Sequence, residues 1–235
     1  MEVLLGLTGR DFVLMAASKA AMRGATILKA SDDKTRELTK HTLMAYSGEA
    51  GDTVQFAEYV QANVALYSMR NDTDLGPGAV ASFTRSELAR SLRSRSPYMV
   101  NLLLGGWDVL GGKDVEVESE TKEGKEGGSD AQDGKNGKAI KKTGCARLYW
   151  IDYLASQAEV PYAAHGYAQY YCLSILDKHH HPDIDFDQGM KLLKMCSDEL
   201  KRRLPIDFKG LVVKVMTKDG IREVEFDDSA PVKSA

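Results

Sequence analysis

Residues 98–109 read Tyr98-Met99-Val100-Asn101-Leu102-Leu103-Leu104-Gly105-Gly106-Trp107-Asp108-Val109. The run is apolar at nearly every position around Leu102–Leu104. A strand with one wet face would alternate, so this one is expected to be covered on both faces. A second run with β pattern, Arg147-Leu148-Tyr149-Trp150-Ile151-Asp152-Tyr153-Leu154, is its expected partner. Between them lies a tract from Gly111 to Gly144 that lacks aromatics and is dense in Gly, Lys, Glu and Asp. It has too little apolar surface to offset its ordering entropy, and it reads as a disordered, low-complexity insertion in the place of a hairpin loop. Lengthening a loop from about 6 to about 35 residues costs only ~1.6 kcal/mol. The insertion therefore need not divide the chain, and 1–235 reads as a single domain.

The segments upstream are β and then helical. Val3–Leu7 and Phe12–Ala17 are short apolar strands around a Gly9-Arg10-Asp11 turn, and Thr26–Lys29 and Thr42–Ser47 are further strands. Asp52 is the expected N-cap of a helix that ends near Arg70-Asn71, with Gln55 completing a capping box. Val54, Ala57, Val60, Val64 and Tyr67 recur at three- and four-residue spacing as its buried stripe, widened by Phe56, Tyr59 and Leu66. A turn at Leu75-Gly76-Pro77-Gly78 leads to a helix over 79–94, with Ala81, Leu88 and Leu92 inward. Its Arg85, Arg90, Arg93 and Arg95 read first as a solvated face and second as a charged subunit contact.

Downstream, a helix is expected over 166–179, carrying Tyr170, Leu173, Ile175 and Leu176. Another starts after Asp185 or Asp187 and runs to Arg203, where Pro205 stops it. Its inner stripe is Met190, Leu193, Cys196 or Ser197, and Leu200. Leu211–Met216 and Ile221–Phe226 form a hairpin around Asp219-Gly220. Strands, two helices, strands, two helices, strands: this order predicts an α+β fold, a four-layer αββα sandwich with a helix layer outside each of two stacked sheets.

Composition narrows the function classes. The 235 residues carry 31 basic and 34 acidic side chains, a net charge of −3, which provides no basic field for nucleic acid or anionic membrane. No apolar run is long enough to span a bilayer. Met1-Glu2-Val3-Leu4-Leu5-Gly6 has no basic region before its apolar stretch, so no signal peptide is expected. Cys145, Cys172 and Cys196 form no C-x-x-C pair and suit a reducing compartment, cytoplasm and nucleus.

Several blocks, in order, resemble the proteasome β-subunit family. They are Gly48-Glu49-Ala50-Gly51-Asp52-Thr53-Val54-Gln55-Phe56-Ala57-Glu58-Tyr59, then Tyr67-Ser68-Met69-Arg70-Asn71, then Arg95-Ser96-Pro97 running into the opening stretch as far as Asp108. After the charged tract come Tyr149-Trp150-Ile151-Asp152-Tyr153-Leu154-Ala155, Pro161-Tyr162-Ala163-Ala164-His165-Gly166-Tyr167 and Leu173-Ser174-Ile175-Leu176-Asp177. The resemblance implies the N-terminal-nucleophile hydrolase sandwich and membership of the β ring of a 20S core that degrades ubiquitin-marked protein. It also implies partners: α subunits, the β subunits at the third and fifth ring positions, and the opposite β ring. No nucleic acid, membrane, metal or cofactor is implied.

Active members of the family use the hydroxyl of an N-terminal Thr as nucleophile and its own α-amine as base, beside a Lys held by an Asp. Alignment of the opening strands puts Glu2 at the nucleophile, with no propeptide before it, and Ser18 at the orienting Asp. Lys34 retains the Lys. In Gly166-Tyr167-Ala168 the assisting Ser is Tyr167, and a later Asp falls on Asp183. The expectation is a non-catalytic structural subunit with vestigial positions Glu2, Ser18, Lys34 and Tyr167. The alternatives are an active threonine peptidase of the same fold, which would need a free N-terminal Thr, and a free binding or chaperone-like module.

Other constellations carry less. Consecutive helical residues point about 100° apart, so His179-His180-His181 cannot converge on one ion. Asp183-Ile184-Asp185-Phe186-Asp187 opens like a calcium loop, but Gln188 and Lys194 stand where that loop needs Gly and Glu. Its carboxylates read as caps for the following helix. His165, with apolar neighbours, reads as a satisfied core or interface histidine.

Overall fold

A computed structural model describes residues 2–23, 26–111, 114–117, 139–205 and 208–227. In chain order the strands and helices are β1 (Val3–Thr8), β2 (Val13–Ser18), β3 (Ala21–Arg23), β4 (Thr26–Lys29), β5 (Thr35–Thr39), β6 (Thr42–Gly48), α1 (Asp52–Asn71) and α2 (Pro77–Leu92). They continue as β7 (Val100–Asp108), β8 (Asp114–Val117), β9 (Ala139–Lys142), β10 (Cys145–Ile151), β11 (Gln157–Glu159), β12 (Tyr162–Gly166), α3 (Ala168–His179), α4 (Phe186–Arg203), β13 (Leu211–Thr217) and β14 (Gly220–Val224).

Two five-stranded sheets, β12-β1-β2-β13-β14 and β11-β10-β7-β6-β5, are antiparallel throughout. The period of two along each strand sorts their side chains between layers. In β1, Val3, Leu5 and Leu7 face α3 and α4 while Leu4 faces the other sheet. In β7, Leu102 and Leu104 face α1 and α2 while Leu103 turns inward against Leu4, Met15 and Leu148. Both faces of the opening stretch are therefore buried, and the four-layer αββα order is the one its sequence predicts.

Details depart from the sequence pattern. The N-cap of α1 is Gly51, not Asp52. The Asp52 carboxylate instead accepts a hydrogen bond from Met99 N at 3.1 Å, tying the helix to the approach of β7. The buried side of α1 is Thr53, Phe56, Ala57, Val60 and Val64, whereas Val54, Tyr59, Leu66, Tyr67 and Met69 are exposed. The expected stripe thus mixed two faces, because both are apolar. A capping box does occur on α4, where Asp185 accepts from Gln188 N and the Gln188 side chain returns to Asp185 N.

Within the charged tract, β8 and β9 pair antiparallel, so its ends are ordered. The β7–β10 pairing brings them together, and they form a two-stranded sheet of their own. The disorder expected for the interior, 118–138, lies outside the described residues. Among the described residues no helix is long and apolar enough to cross a membrane.

Candidate functional site

The register of the first sheet gathers a cluster of polar side chains at the head of β1. Leu4 pairs with Ala17 and Val3 with Gly166, so Glu2 stands beside the last residue of β2 and the last of β12. Gly166 has φ +67°, and a Cβ there would meet Glu2 O at 2.1 Å. Only glycine lets the two strands close at this point. Val3 N donates to Ser18 Oγ at 3.3 Å, and Tyr167 N donates to Glu2 O at 3.4 Å. Tyr167 thus enters through its backbone, at the start of α3.

The second sheet meets the first at the Glu2 side chain. Gly48, the last residue of β6, has φ +144°, and its N–H donates to Glu2 Oε2 at 2.7 Å. A Cβ at Gly48 would meet Met99 O at 2.1 Å, so no side chain fits between this donor and β7. Burial pushes the Glu2 carboxyl above the ordinary carboxylate range, and the Gly48 N–H and the charge of Lys34 offset this only in part.

Lys34 is buried, and its ammonium donates to Ser18 O at 3.0 Å and Ala20 O at 2.7 Å. Asp32 Oδ2 lies 3.7 Å away. Burial lowers the Lys34 pKa against the opposing charges of Glu2 and Asp32. Next to it, Asp33 Oδ2 pairs with Lys214 Nζ on β13 at 2.7 Å. The same Nζ donates to Thr35 Oγ1 at 2.8 Å. Burial raises the Asp33 carboxyl, but the bonds from Lys214 and Thr35 outweigh it and leave the group below its usual range.

The structure therefore brings Glu2, Ser18, Lys34 and Tyr167 together. It does not bring Asp183. Ile184 O accepts from Arg10 N at 3.2 Å, which places this segment at the Gly9–Phe12 turn, the opposite end of the β1–β2 pair. Asp183 has no part in this cluster. Sequence reasoning missed Asp32 and Lys214, whose signals were an acidic pair just before Lys34 and a lone charge in an apolar strand. It also missed the donor role of Gly48, which a backbone N–H does not announce.

The cluster places a carboxylate, a buried ammonium and a hydroxyl at the head of β1. Glu2 has no hydroxyl, and the Ser18 hydroxyl oxygen accepts from Val3 N. The nearest threonine along β1 is Thr8, at the far end, with its N and Oγ1 both donating to Pro161 O at 2.8 and 3.0 Å. To become an N-terminus it would have to lose β1, a central strand paired on both sides.

Two histidines tie elements together. His165 is buried, stacked on Trp150 with ring centroids 5.1 Å apart, and bonded through Nε2 to Leu102 O at 3.0 Å. Burial pushes its pKa down to about 4. His180 Nε2 bonds to Thr8 O at 2.8 Å, tying the end of α3 to β1. Among the described residues no group of three or more His, Cys, Asp or Glu could hold a metal ion.

Comparison with known proteins accords with this geometry. A family model described as "Proteasome subunit" matches residues 2–116 and 139–216. The chain is 66% identical over 235 residues, all of both chains, to "Probable proteasome subunit beta type-4" of Neurospora crassa. It is 48% identical to "Proteasome subunit beta type-4" of Saccharomyces cerevisiae, over 96% of this chain and 98% of that one. To "Proteasome subunit beta type-2" of Oryza sativa subsp. japonica it is 36% identical, over 98% and 94%. The blocks quoted at the outset suggest a type-2 subunit; the higher identity to relatives named type 4 corrects that designation.

Proposed function

The chain belongs to the proteasome subunit family, and from that premise we propose that it is a structural β subunit of type 4 in the 20S core. It completes the β ring and walls the proteolytic chamber without cutting peptides itself. The observation that carries this reading is Glu2, which holds the nucleophile's place with its carboxylate bound to Gly48 N. Ser18, Lys34 and Tyr167 beside it are vestigial positions, Lys34 now serving as a clamp between backbone carbonyls. An active threonine peptidase of this fold is disfavoured, because Thr8 lies at the wrong end of a core strand.

The proposed ring place is the fourth, between the third and fifth β positions, with α subunits above and the opposite β ring below. The exposed Val54, Tyr59, Leu66, Tyr67 and Met69 of α1 support a chain that docks on other proteins. Three free cysteines support the cytoplasm and nucleus as its compartments. The test is native mass. Tagged and purified gently from its own cell, the chain is expected in a particle of several hundred kDa; a free 25.8 kDa monomer contradicts the reading.

A further inference from the structure

We propose that Thr42 holds a structural water site, in the cavity between the start of β6 and the start of α2. Three observations converge. Thr42 is fully buried, and its Oγ1 has no hydrogen-bond partner among the described residues. Buried hydroxyls almost always have a partner, because an unpaired one costs its full desolvation. Thr42 also lines a cavity of about 80 Å³, together with Gly76, Pro77, Trp107, Asp108 and Leu110. That is room for about two waters at roughly 30 Å³ each. Gly106, paired with Thr42 across the β6–β7 ladder, keeps the space clear. A Cβ at Gly106 would lie 3.1 Å from Thr42 Oγ1, 2.8 Å from Pro77 Cγ and 2.5 Å from His41 O, so no side chain fits there.

The walls choose the ligand. Thr42 offers a hydroxyl that can donate or accept, and Asp108 offers carboxylate acceptors. Asp108 Oδ1 accepts from Leu110 N at 3.1 Å and keeps a further lone pair. The same oxygen stands 3.6 Å from where a Cβ of Gly76 would lie, so it faces the start of α2. A carboxylate in the wall repels an anion, and among the described residues no group of three or more His, Cys, Asp or Glu gathers to hold a metal. The volume excludes an organic ligand of any size. A water that donates to Asp108 and bonds to the Thr42 hydroxyl satisfies both walls. It links β6, β7 and α2 at the opposite end of β6 from Gly48. The inference is independent of the Glu2 cluster and of the non-catalytic reading.

The experiment compares the full chain with its Thr42→Val variant, which keeps the shape of the side chain and removes the hydroxyl. With the water bound, the variant loses a hydrogen bond, and its thermal midpoint is expected about 2–4 °C lower. If the hydroxyl has no partner, the same substitution removes a desolvated polar group and the midpoint rises. An unchanged or higher midpoint therefore overturns the proposal.

A second measurement does not depend on any variant folding. A high-resolution density map of the wild-type chain should show an ordered peak about 3 Å from Thr42 Oγ1, on the side of Asp108. No peak there overturns the proposal, and so does a peak ringed by about six oxygens at cation-binding distance. A map of a folded Thr42→Val should lack the peak; its persistence would show that Thr42 does not hold the water.

Discussion

A buried histidine is the residue whose behaviour is easiest to check. His165 titrates at about 4 in the folded chain because burial penalises its cation; unfolded, it titrates near 6.5. Between those values the unfolded state binds the extra proton, so folding free energy is full above about pH 6.5 and falls as pH drops toward 4. A difference of about 2.5 units corresponds to roughly 3 kcal/mol. Denaturant midpoints measured from pH 7 to 4 should therefore decline, and His165→Gln should flatten that decline. An equally steep decline in the variant would assign the acid sensitivity elsewhere. At this scale the sequence displays side chains but not their backbone partners. Lys34 was visible as a retained lysine, while the carbonyls of Ser18 and Ala20 that hold it, and the Gly48 N–H that holds Glu2, were not. Asp183 was misplaced for a related reason: alignment across long loops carries no register, and the turn that fixes Ile184 against Arg10 lies at the other end of the strands.

Among the elements, α4 shows its start in sequence and structure alike. The Asp185–Gln188 box satisfies N–H groups that an uncapped helix leaves to solvent. Asp185→Ala should cost about 1 kcal/mol, read as a shift in the denaturation midpoint with unchanged slope. No shift would mean that the box contributes nothing to the folded chain. The start of α1 was misread because Asp52 and Gln55 have the right spacing, but the Asp52 carboxylate is used by Met99 N. Strand β5, Thr-Arg-Glu-Leu-Thr, was not foreseen: it is a polar edge strand, and its cover comes from α1, where Gln61 Nε2 donates to Glu37 O at 2.8 Å. Strand β12 escaped because its Ala163 and Ala164 lack the β-branched signature, although both are buried. The long apolar strands β1, β2 and β7 were legible because a continuous apolar run, buried on both faces, leaves few other readings.

For the whole molecule, the layer order follows from those strands, but the faces that meet other subunits do not. An apolar outer face on α1 has the composition of a core stripe, so sequence alone reads it as core. The account expects that face to matter only in assembly. Leu66→Asp with Met69→Asp, at positions 44% and 81% exposed, should change the chain's own stability by no more than about 0.5 kcal/mol per site. The same pair should sharply reduce the share of chain recovered in the large particle; full recovery would show that the face is not an interface. The central claim is that this subunit holds its ring place without a nucleophile. Its most direct test is to treat the native particle with an electrophilic peptide that modifies N-terminal threonine hydroxyls, and then to weigh each subunit intact. The account predicts adducts on other β subunits and an unchanged mass for this chain; an adduct on this chain would contradict it.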